Sequence, residues 1–254
     1  MIFTVSHKLY PFPESAYLKP IFVGPNKPAL ENGLYDDTGD NIAELNKHFC
    51  ELTAIYWIWK NYQQKEDDWI GICHYRRYFI KDTLFSFFQG FFFKSYKLKL
   101  NKVTFDNLIN DSFVKYIHNL LNGKDVIVPF PHYFNFLKRR TIKKQYLELH
   151  SNEDWELLKT IVLNKHPNYA DAFKQMEDSP KLFAYNMFIT KRKTFNEYCE
   201  WLFPILFKLY EEVKIQNDAY QSRVIGFLAE RLLNLYLIQN KHLAIKTLPV
   251  LYID

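Results

Sequence analysis

Residues 69–79 read WIGICHYRRYF, an apolar run that passes directly into one histidine, two arginines and two tyrosines. The apolar part, Trp69–Cys73, is typical of a strand buried on both faces at the centre of a sheet. If the polar part stays extended, alternate side chains face opposite ways: His74, Arg76 and Tyr78 on one face, and Tyr75 and Arg77 on the other. The stretch therefore predicts a central strand with a basic and aromatic cluster at its carboxyl end.

The two arginines of this cluster suit a phosphate-bearing ligand. Ligands of open α/β sheets bind beyond the carboxyl ends of the strands, and a guanidinium group can give a phosphate two parallel hydrogen bonds. We expect one face of the segment to meet the ligand while the other anchors the loop, for example by pairing with an acidic side chain. The competing interpretation is a solvated basic loop held by structural ion pairs.

Short β-rich runs alternate with helical periodicity along the rest of the chain, which predicts an α/β fold with a mostly parallel central sheet. The predicted strands are Ile2–Ser6, Pro20–Val23, Trp69–Cys73, Asp125–Pro129 and Tyr185–Thr190. No internal repeat and no Ser/Gly-rich linker interrupts the pattern, so we expect one domain over residues 1–254 with a helical C-terminal part.

The first long helix is predicted to begin at Asn41, because Asn41 and Glu44 have the spacing of a capping box. Apolar residues between Ile42 and Trp59 then recur every three or four positions and form one buried stripe. Further helices are predicted at Thr104–Leu121, Glu153–Asn164, Asn196–Val213 and Ala219–Gln239. Pro204 is expected to kink or split the helix that contains it.

Composition excludes several classes of protein. The chain has 254 residues and a net charge of +5, and 18% of it is aromatic, which excludes disordered and low-complexity proteins. Its three cysteines form no CxxC pair, which argues against disulfide scaffolds and zinc ribbons. The N-terminus lacks a signal-peptide pattern, and no apolar run approaches the ~20 residues of a spanning helix. We expect a soluble cytoplasmic protein.

An acidic turn enters the first predicted helix. Its polar side chains are Asp36, Asp37, Asp40 and Asn41. The carboxylates could accept hydrogen bonds from ribose hydroxyls, sugar hydroxyls or a base N–H, and Asp37 and Asp40 could also hold a cation. The alternative is ordinary helix capping and turn formation, which these residue types suit.

A third cluster lies on one face of the last predicted helix, where Arg223, Gly226 and Glu230 share a side. A glycine inside a helix costs ~1 kcal/mol relative to alanine, so Gly226 predicts the close approach of a ligand or another backbone. Glu230 beside this gap is a candidate base. The alternative is an internal Arg–Glu pair that holds the helix to the sheet.

Four segments carry a resemblance to a known family, and they read NIAELNKHFCELTAIYWIWKN, DWIGICHYRRYF, NMFITKRKTFNEYCEWLFPIL and RVIGFLAERL. Together they resemble a bacterial family of glycosyltransferases from capsule and lipopolysaccharide O-chain biosynthesis clusters, long labelled only as a domain of unknown function. The resemblance runs from Ile2 to about Tyr236, and the HYRRY block is its most specific element. It implies a GT-A-like nucleotide-binding α/β sandwich that uses UDP-sugars, with galactofuranosyl or galactosyl transfer for some members.

The resemblance also implies roles for individual residues. Residues 1–130 would form the nucleotide-sugar-binding part and residues 131–254 the acceptor-side part. His74, Arg76 and Arg77 would act at the donor diphosphate, and Glu230 would be the acceptor-side base or orient the acceptor. The remaining substrate- and nucleotide-binding residues would be His7, Lys8, Asp36, Asp37, Asp40, Asn41, Tyr75, Tyr78, Asn186, Arg223 and Arg231.

One departure from the general GT-A pattern affects the mechanism. Such enzymes usually carry an Asp-x-Asp after the central strand to bind a divalent cation, whereas residues 74–77 here read His-Tyr-Arg-Arg. Guanidinium groups can replace a metal in neutralising the departing diphosphate. No cofactor is certain, and Mg²⁺ or Mn²⁺ held by Asp36, Asp37 or Asp40 stays open.

The implied partners are a UDP-sugar donor and a lipid-linked or oligosaccharide acceptor, and no nucleic acid. Such an acceptor would lie at the cytoplasmic face of the inner membrane, where the phenylalanines of residues 85–93 and the basic run Lys138–Lys144 could make peripheral contact. The alternative places those phenylalanines in the core. Two other functions stay open: a non-catalytic scaffold, and a basic and aromatic module that binds nucleic acid or a membrane surface.

Overall fold

The computed structural model describes residues 1–30, 33–62, 69–82, 96–97, 108–134 and 140–253. Its strands are β1 Ile2–Ser6, β2 Leu18–Phe22, β3 Leu34–Tyr35, β4 Trp69–His74, β5 Arg77–Phe79, β6 Tyr96–Lys97, β7 Val126–Pro129, β8 His132–Tyr133, β9 Lys181–Leu182, β10 Phe188–Lys191, β11 Ile245–Leu248 and β12 Val250–Tyr252. Its helices are α1 Asn46–Phe49, α2 Leu52–Asn61, α3 Asp111–Leu121, α4 Ile142–Leu147, α5 Asn152–Lys165, α6 Ala170–Glu177, α7 Arg192–Glu212 and α8 Val224–Gln239.

The main sheet has the strand order β11-β7-β10-β4-β1-β2-β3. Within this path β10 is antiparallel to both of its neighbours, and the other pairs are parallel. The strand β4 lies in the middle, and the carboxyl ends of β1 and β4 lie side by side. The predicted α/β fold with a mostly parallel sheet and a central strand at Trp69–Cys73 is therefore confirmed.

The central strand is buried on both faces, as its composition predicts. Ile70 and Ile72 pack into the large core that the sheet shares with α2 and α4–α8. Trp69 and Cys73 pack into a second core with α3 and β12 on the opposite face. A Cβ atom on Gly71 would lie 3.0 Å from a side-chain carbon of Ile2 and 3.2 Å from one of Ile189, so only glycine lets both neighbouring strands pack this closely.

The prediction of the first long helix is wrong in two respects: the helix does not begin at Asn41, and it is not continuous. The Asn41 side chain accepts a hydrogen bond from the backbone N–H of Ala43, and a 3₁₀ turn, Ala43–Leu45, replaces the capping box. The chain then breaks between α1 and α2 at Cys50, which has a φ of 53°. The Asn46 side chain stabilises the break by donating to the Cys50 carbonyl at 2.8 Å.

Other boundaries differ for local reasons. The predicted strand Tyr185–Thr190 is wrong at its start, because Tyr185 and Asn186 have left-handed backbones with φ of 79° and 50°, and β10 begins at Phe188. The Asp218 carboxylate accepts from the N–H groups of Tyr220 and Gln221, so a turn precedes α8 where the prediction placed helix from Ala219.

Of the two effects predicted for Pro204, a kink or a split, the split does not occur, because α7 runs through this residue without interruption. The apolar side chains on both sides of Pro204, from Leu202 to Leu206, are buried in the main core, and their packing outweighs the cost of ~3 kcal/mol for proline inside a helix.

Three other predicted elements differ less from the observed ones. The predicted strands Pro20–Val23 and Asp125–Pro129 are observed as β2 and β7, and the predicted helix Glu153–Asn164 is observed as α5. The start predicted at Thr104 lies outside the described residues, as do residues 85–93 and the first two residues of Lys138–Lys144. Within the described part of the chain, no helix combines the length and apolar character needed to cross a bilayer.

Candidate active site

A cavity of about 560 Å³ opens where the carboxyl ends of β1 and β4 face the start of α8. Seven of the residues predicted from the sequence line it: His7, His74, Tyr75, Arg76, Arg77, Arg223 and Glu230. Others that the sequence analysis did not select line it as well, among them Lys47, Cys50, Glu51, Ser222, Tyr185 and Tyr252. The cavity thus draws on both the N-terminal and the C-terminal parts of the chain.

The HYRRY block forms a hairpin and does not stay extended. Tyr75 and Arg76 make the turn, and His74 pairs with Arg77 across the β4–β5 ladder. The predicted alternation of faces is therefore wrong, and both arginines reach the same cavity. Tyr78 is fully buried in the core on the other face of the sheet and does not line the cavity.

Three guanidinium groups face the cavity. The Arg77 group lies over the rings of Tyr185 and Tyr252, at 4.5 and 5.4 Å. The Arg223 Nε donates to the sulfur of Cys50 at 3.2 Å, and Arg76 is exposed. Among the residues that the structure describes, no carboxylate forms an ion pair with any of these arginines. Their charge is thus available to an anionic ligand.

His74 is fixed by a single strong hydrogen bond. Its Nε2 lies 2.6 Å from the carbonyl oxygen of Tyr185, and because that oxygen can only accept, Nε2 carries the proton. Burial lowers the pKa of His74, which favours the neutral ring with Nδ1 as an acceptor. His7 lies at the mouth of the cavity, edge-on to Tyr75 with ring centroids 5.2 Å apart, and burial lowers its pKa as well.

Glu230 lines the cavity with both of its oxygens engaged. Oε1 accepts from the backbone N–H of Tyr185 at 2.8 Å, and Oε2 accepts from Arg231 at 3.0 Å. Burial raises the pKa of Glu230. One turn further along α8, Asn234 exchanges two hydrogen bonds with the backbone of Phe183. The predicted helix face is therefore the surface that holds the loop before β10.

Gly226 on the same face has neighbours at ordinary van der Waals distance, so the structure does not show the close backbone approach that is one of its two predicted interpretations. A Cβ atom there would lie 3.4 Å from the sulfur of Cys50 and 3.6 Å from its Cβ. The neighbouring α1 is also tied to the turn before α8, because Nδ1 of His48 donates to the Ser222 carbonyl at 2.7 Å.

Backbone strain is concentrated at this cavity. Among the described residues, three non-glycine residues have positive φ: Cys50, Tyr185 and Asn186. Cys50 and Tyr185 line the cavity, and Asn186 hydrogen-bonds to Glu51, which lines it. Strained residues of this kind cost of order 1–3 kcal/mol each and cluster at functional sites, where the surrounding structure enforces them.

Several predicted site residues lie outside the cavity lining. Asp36 is buried and bound by Lys27 at 2.6 Å and the Thr53 hydroxyl at 2.5 Å, and Lys27 also binds Asp37 at 2.7 Å. Asp40 accepts from the Tyr56 hydroxyl.

The other predicted residues outside the lining also have protein partners. Asn41 contacts the backbone of its own turn. Lys8 lies 5.5 Å from the ring of Tyr75. Arg231 is buried and donates to Glu230, the Phe227 carbonyl and Gln145, while Asn186 is 1% exposed.

The acidic turn does not present a set of metal ligands, since Lys27 neutralises two of its carboxylates. Across the described ranges, no three His, Cys, Asp or Glu side chains come together as a metal site would require. Lys27 thus occupies two of the carboxylates that the sequence offers as ligands for Mg²⁺ or Mn²⁺.

Sequence comparison places the chain in a family. A family model matches residues 1–241, nearly the whole chain, and its description is a domain of unknown function, DUF4422. The chain belongs to this family. No curated protein matches the DUF4422 chain.

One solved structure does match, described as the apo structure of the WbbM bifunctional glycosyltransferase. It has a TM-score of 0.84 and 29% sequence identity, and the match covers 100% of this chain and 45% of that one. The DUF4422 chain thus spans less than half of WbbM. The predicted resemblance to glycosyltransferases is confirmed at the level of the fold.

Proposed function

We propose that the chain is a glycosyltransferase that moves a sugar from a nucleotide-sugar donor, UDP-galactofuranose or UDP-galactose, to a glycan acceptor of capsule or O-antigen biosynthesis. The observation that carries the proposal is a set of three arginines around one cavity. Arg76 and Arg77 follow the carboxyl end of β4, Arg223 lies at the start of α8, and no carboxylate among the described residues forms an ion pair with any of them. The fold in which they lie matches that of a protein described as a glycosyltransferase.

The arginines supply what the leaving group needs. As the bond between the sugar and the diphosphate breaks, negative charge grows on the diphosphate oxygen, and fixed cations placed there stabilise the transition state. The guanidinium of Arg77 is held by two aromatic rings and that of Arg223 by Cys50, so their orientation is set before the donor binds. The half-buried ring of Tyr75 and the exposed ring of His7 line the same cavity and suit the nucleotide.

We propose that the charge on the departing diphosphate is neutralised without a metal, because Lys27 already forms ion pairs with two carboxylates of the acidic turn. Two carboxylates, Glu51 and Glu230, face the same cavity and are the candidates to receive the proton of the acceptor hydroxyl.

Peripheral contact with the inner membrane stays part of the proposal for a lipid-linked acceptor. The contribution of the basic run is smaller than the sequence suggests, since Arg140 pairs with Glu148 and Lys143 pairs with Glu156 and Glu177. Sedimentation with anionic vesicles at low and high salt tests the contact. Binding that falls with salt supports it, and equal absence of binding at both salt concentrations contradicts it.

The function is tested with UDP and with a panel of UDP-sugars. UDP should raise the melting temperature by mass action, and a single-stranded oligonucleotide should not. A UDP-release assay with octyl galactoside and octyl N-acetylglucosaminide as acceptors, run with and without EDTA, then identifies the donor and tests the metal-free mechanism. Stabilisation by the oligonucleotide alone would favour the nucleic-acid module, and UDP binding without transfer would favour the scaffold.

A further inference from the structure

Glu51 is the cavity carboxylate that the sequence analysis did not select. It lies between the left-handed Cys50 and the first residue of α2, and it lines the cavity. One of its oxygens, Oε1, accepts a hydrogen bond from Nδ2 of Asn186 at 2.7 Å. Among the described residues, no hydrogen bond or ion pair engages the other oxygen.

Two strained residues fix the position of this carboxylate. The backbone of Cys50, at a φ of 53°, ends α1 and turns the chain so that Glu51 faces the cavity. The backbone of Asn186, at a φ of 50°, directs its amide toward Glu51 and also toward the Gly226 carbonyl at 3.4 Å. Asn186 is 1% exposed, and its Oδ1 has no hydrogen-bond partner in the described structure. Both strained backbones thus support one side chain.

Glu230 is in a different situation although it lines the same cavity. One of its oxygens accepts from the Tyr185 N–H, and the other is bound by the guanidinium of Arg231. Arg231 is itself buried and also donates to the Phe227 carbonyl and to Gln145. A proton on Glu230 would have to displace part of this network, whereas a proton on the second oxygen of Glu51 displaces no observed contact.

We propose that Glu51 is the residue that accepts the proton of the acceptor hydroxyl, and this inference rests on the proposed glycosyltransferase function. The acceptor oxygen forms a bond to the anomeric carbon of the donor sugar while the bond from that carbon to the diphosphate oxygen breaks. The electron pair of the broken bond stays on the diphosphate, which the arginines face. The hydroxyl proton passes to Oε2 of Glu51 and then to solvent.

Asn186 acts through Glu51 as a positioning residue. Its amide donates to Oε1 and so leaves Oε2 to accept the proton. Glu230 has a separate role, because its hydrogen bond to the Tyr185 N–H holds the loop that carries Tyr185 and Asn186.

The test compares Glu51→Gln and Glu51→Ala with the wild-type protein, using the UDP-sugar and octyl glycoside that support UDP release. We expect Glu51→Gln to lower kcat by about 10²–10⁴-fold, as lost general-base catalysis does. The dissociation constant for UDP should stay within roughly twofold, because the arginines are unchanged. Sodium formate should restore part of the activity of Glu51→Ala, because it supplies a small carboxylate to the vacated space.

Glu44→Gln is the matched control, since Glu44 is exposed on the preceding 3₁₀ turn and does not line the cavity. Near-normal turnover by Glu51→Gln, or a loss that formate does not restore while the protein stays folded and binds UDP, would overturn the assignment. A wild-type protein that neither binds UDP nor releases it from any donor overturns the proposed function itself, and Glu51 with it.

Discussion

The guanidinium carbon of Arg77 lies 4.5 Å from the centre of the Tyr185 ring, which ties the β4–β5 hairpin to the strained loop before β10. His74 reinforces this link through its hydrogen bond to the Tyr185 carbonyl. The hairpin and the loop come from distant parts of the sequence, and Arg77 and His74 therefore hold them together as one side of the site.

Arg77→Lys should weaken UDP binding by roughly tenfold although the charge is kept. A lysine ammonium lacks the planar group that stacks on the rings and the fork that matches a diphosphate, and a stacked cation contributes about 0.5–2 kcal/mol. Isothermal titration with UDP measures the change. Changing both Arg76 and Arg77 to alanine should abolish turnover without unfolding the chain.

The control for this change is Arg192→Lys. Arg192 also stacks on a tyrosine, Tyr62, at 5.4 Å, but it lies outside the cavity lining. It should leave the UDP affinity unchanged. If Arg77→Lys and the double alanine variant both bind UDP as the wild type does, the diphosphate lies elsewhere.

Asn186→Asp should shift the pH dependence of transfer. Aspartate tolerates the left-handed backbone of this position, but it faces Glu51 with a second carboxylate. A like charge at hydrogen-bonding distance raises the pKa of a carboxyl group. The acidic limb of kcat/KM should therefore move to higher pH, because Glu51 must be ionised to accept a proton.

The measurement is a pH profile of kcat/KM for the wild type, Asn186→Asp and Asn122→Asp. Asn122 is exposed at the end of α3, so the last variant adds the same charge away from the cavity. An unchanged acidic limb in a folded, active Asn186→Asp variant would show that the group next to residue 186 does not titrate in the reaction.

The sequence predicts those parts of this molecule that follow from local pattern. Buried strands such as Trp69–Cys73 show as apolar runs, and the face of α8 that carries Arg223, Gly226 and Glu230 follows from helical spacing. Short strands such as β3, of two residues, have no period to detect. The left-handed backbone of Cys50 has no signal either, because its residue type does not favour that conformation.

The candidate site likewise combines features that the local sequence pattern predicts with features that it does not. The HYRRY cluster is visible because it is dense in sequence, whereas Glu51 depends on Asn186, which lies 135 residues away. The acidic turn around Asp36 is equally dense, but Lys27 and Thr53 bind that carboxylate inside the fold. Density of charged residues alone does not show which of them meet a protein partner and which meet a ligand.

Gly226→Ala should stabilise the protein by a few tenths to ~1 kcal/mol, because alanine is the better helix former. The new methyl group would meet the sulfur of Cys50 at 3.4 Å, an ordinary van der Waals contact. Gly226→Leu should destabilise the chain and weaken UDP binding, since a larger side chain would displace Cys50 and the Arg223 group that donates to it. Urea unfolding and UDP titration of both variants check this, and a strongly destabilised alanine variant would contradict it.

Asp154→Asn should stabilise the chain at neutral pH and not at acidic pH. Asp154 lies in the first turn of α5, where the helix dipole favours a negative charge by 0.3–1 kcal/mol. Burial opposes this and dominates, because it raises the pKa of Asp154 from 3.8 to about 6, with a smaller contribution from the nearby Glu153.

The folded state then binds the proton more tightly than the unfolded state, so this group lowers stability as pH rises from about 4 to about 6. The penalty is complete above that range and absent below it. Asparagine removes the charge, so wild type and variant should unfold at similar urea concentrations at pH 4, with the variant more stable at pH 7. Asp178→Asn, at an exposed carboxylate, should show no such divergence. An Asp154→Asn variant less stable than the wild type at pH 7 would mean that the helix dipole outweighs the cost of burial.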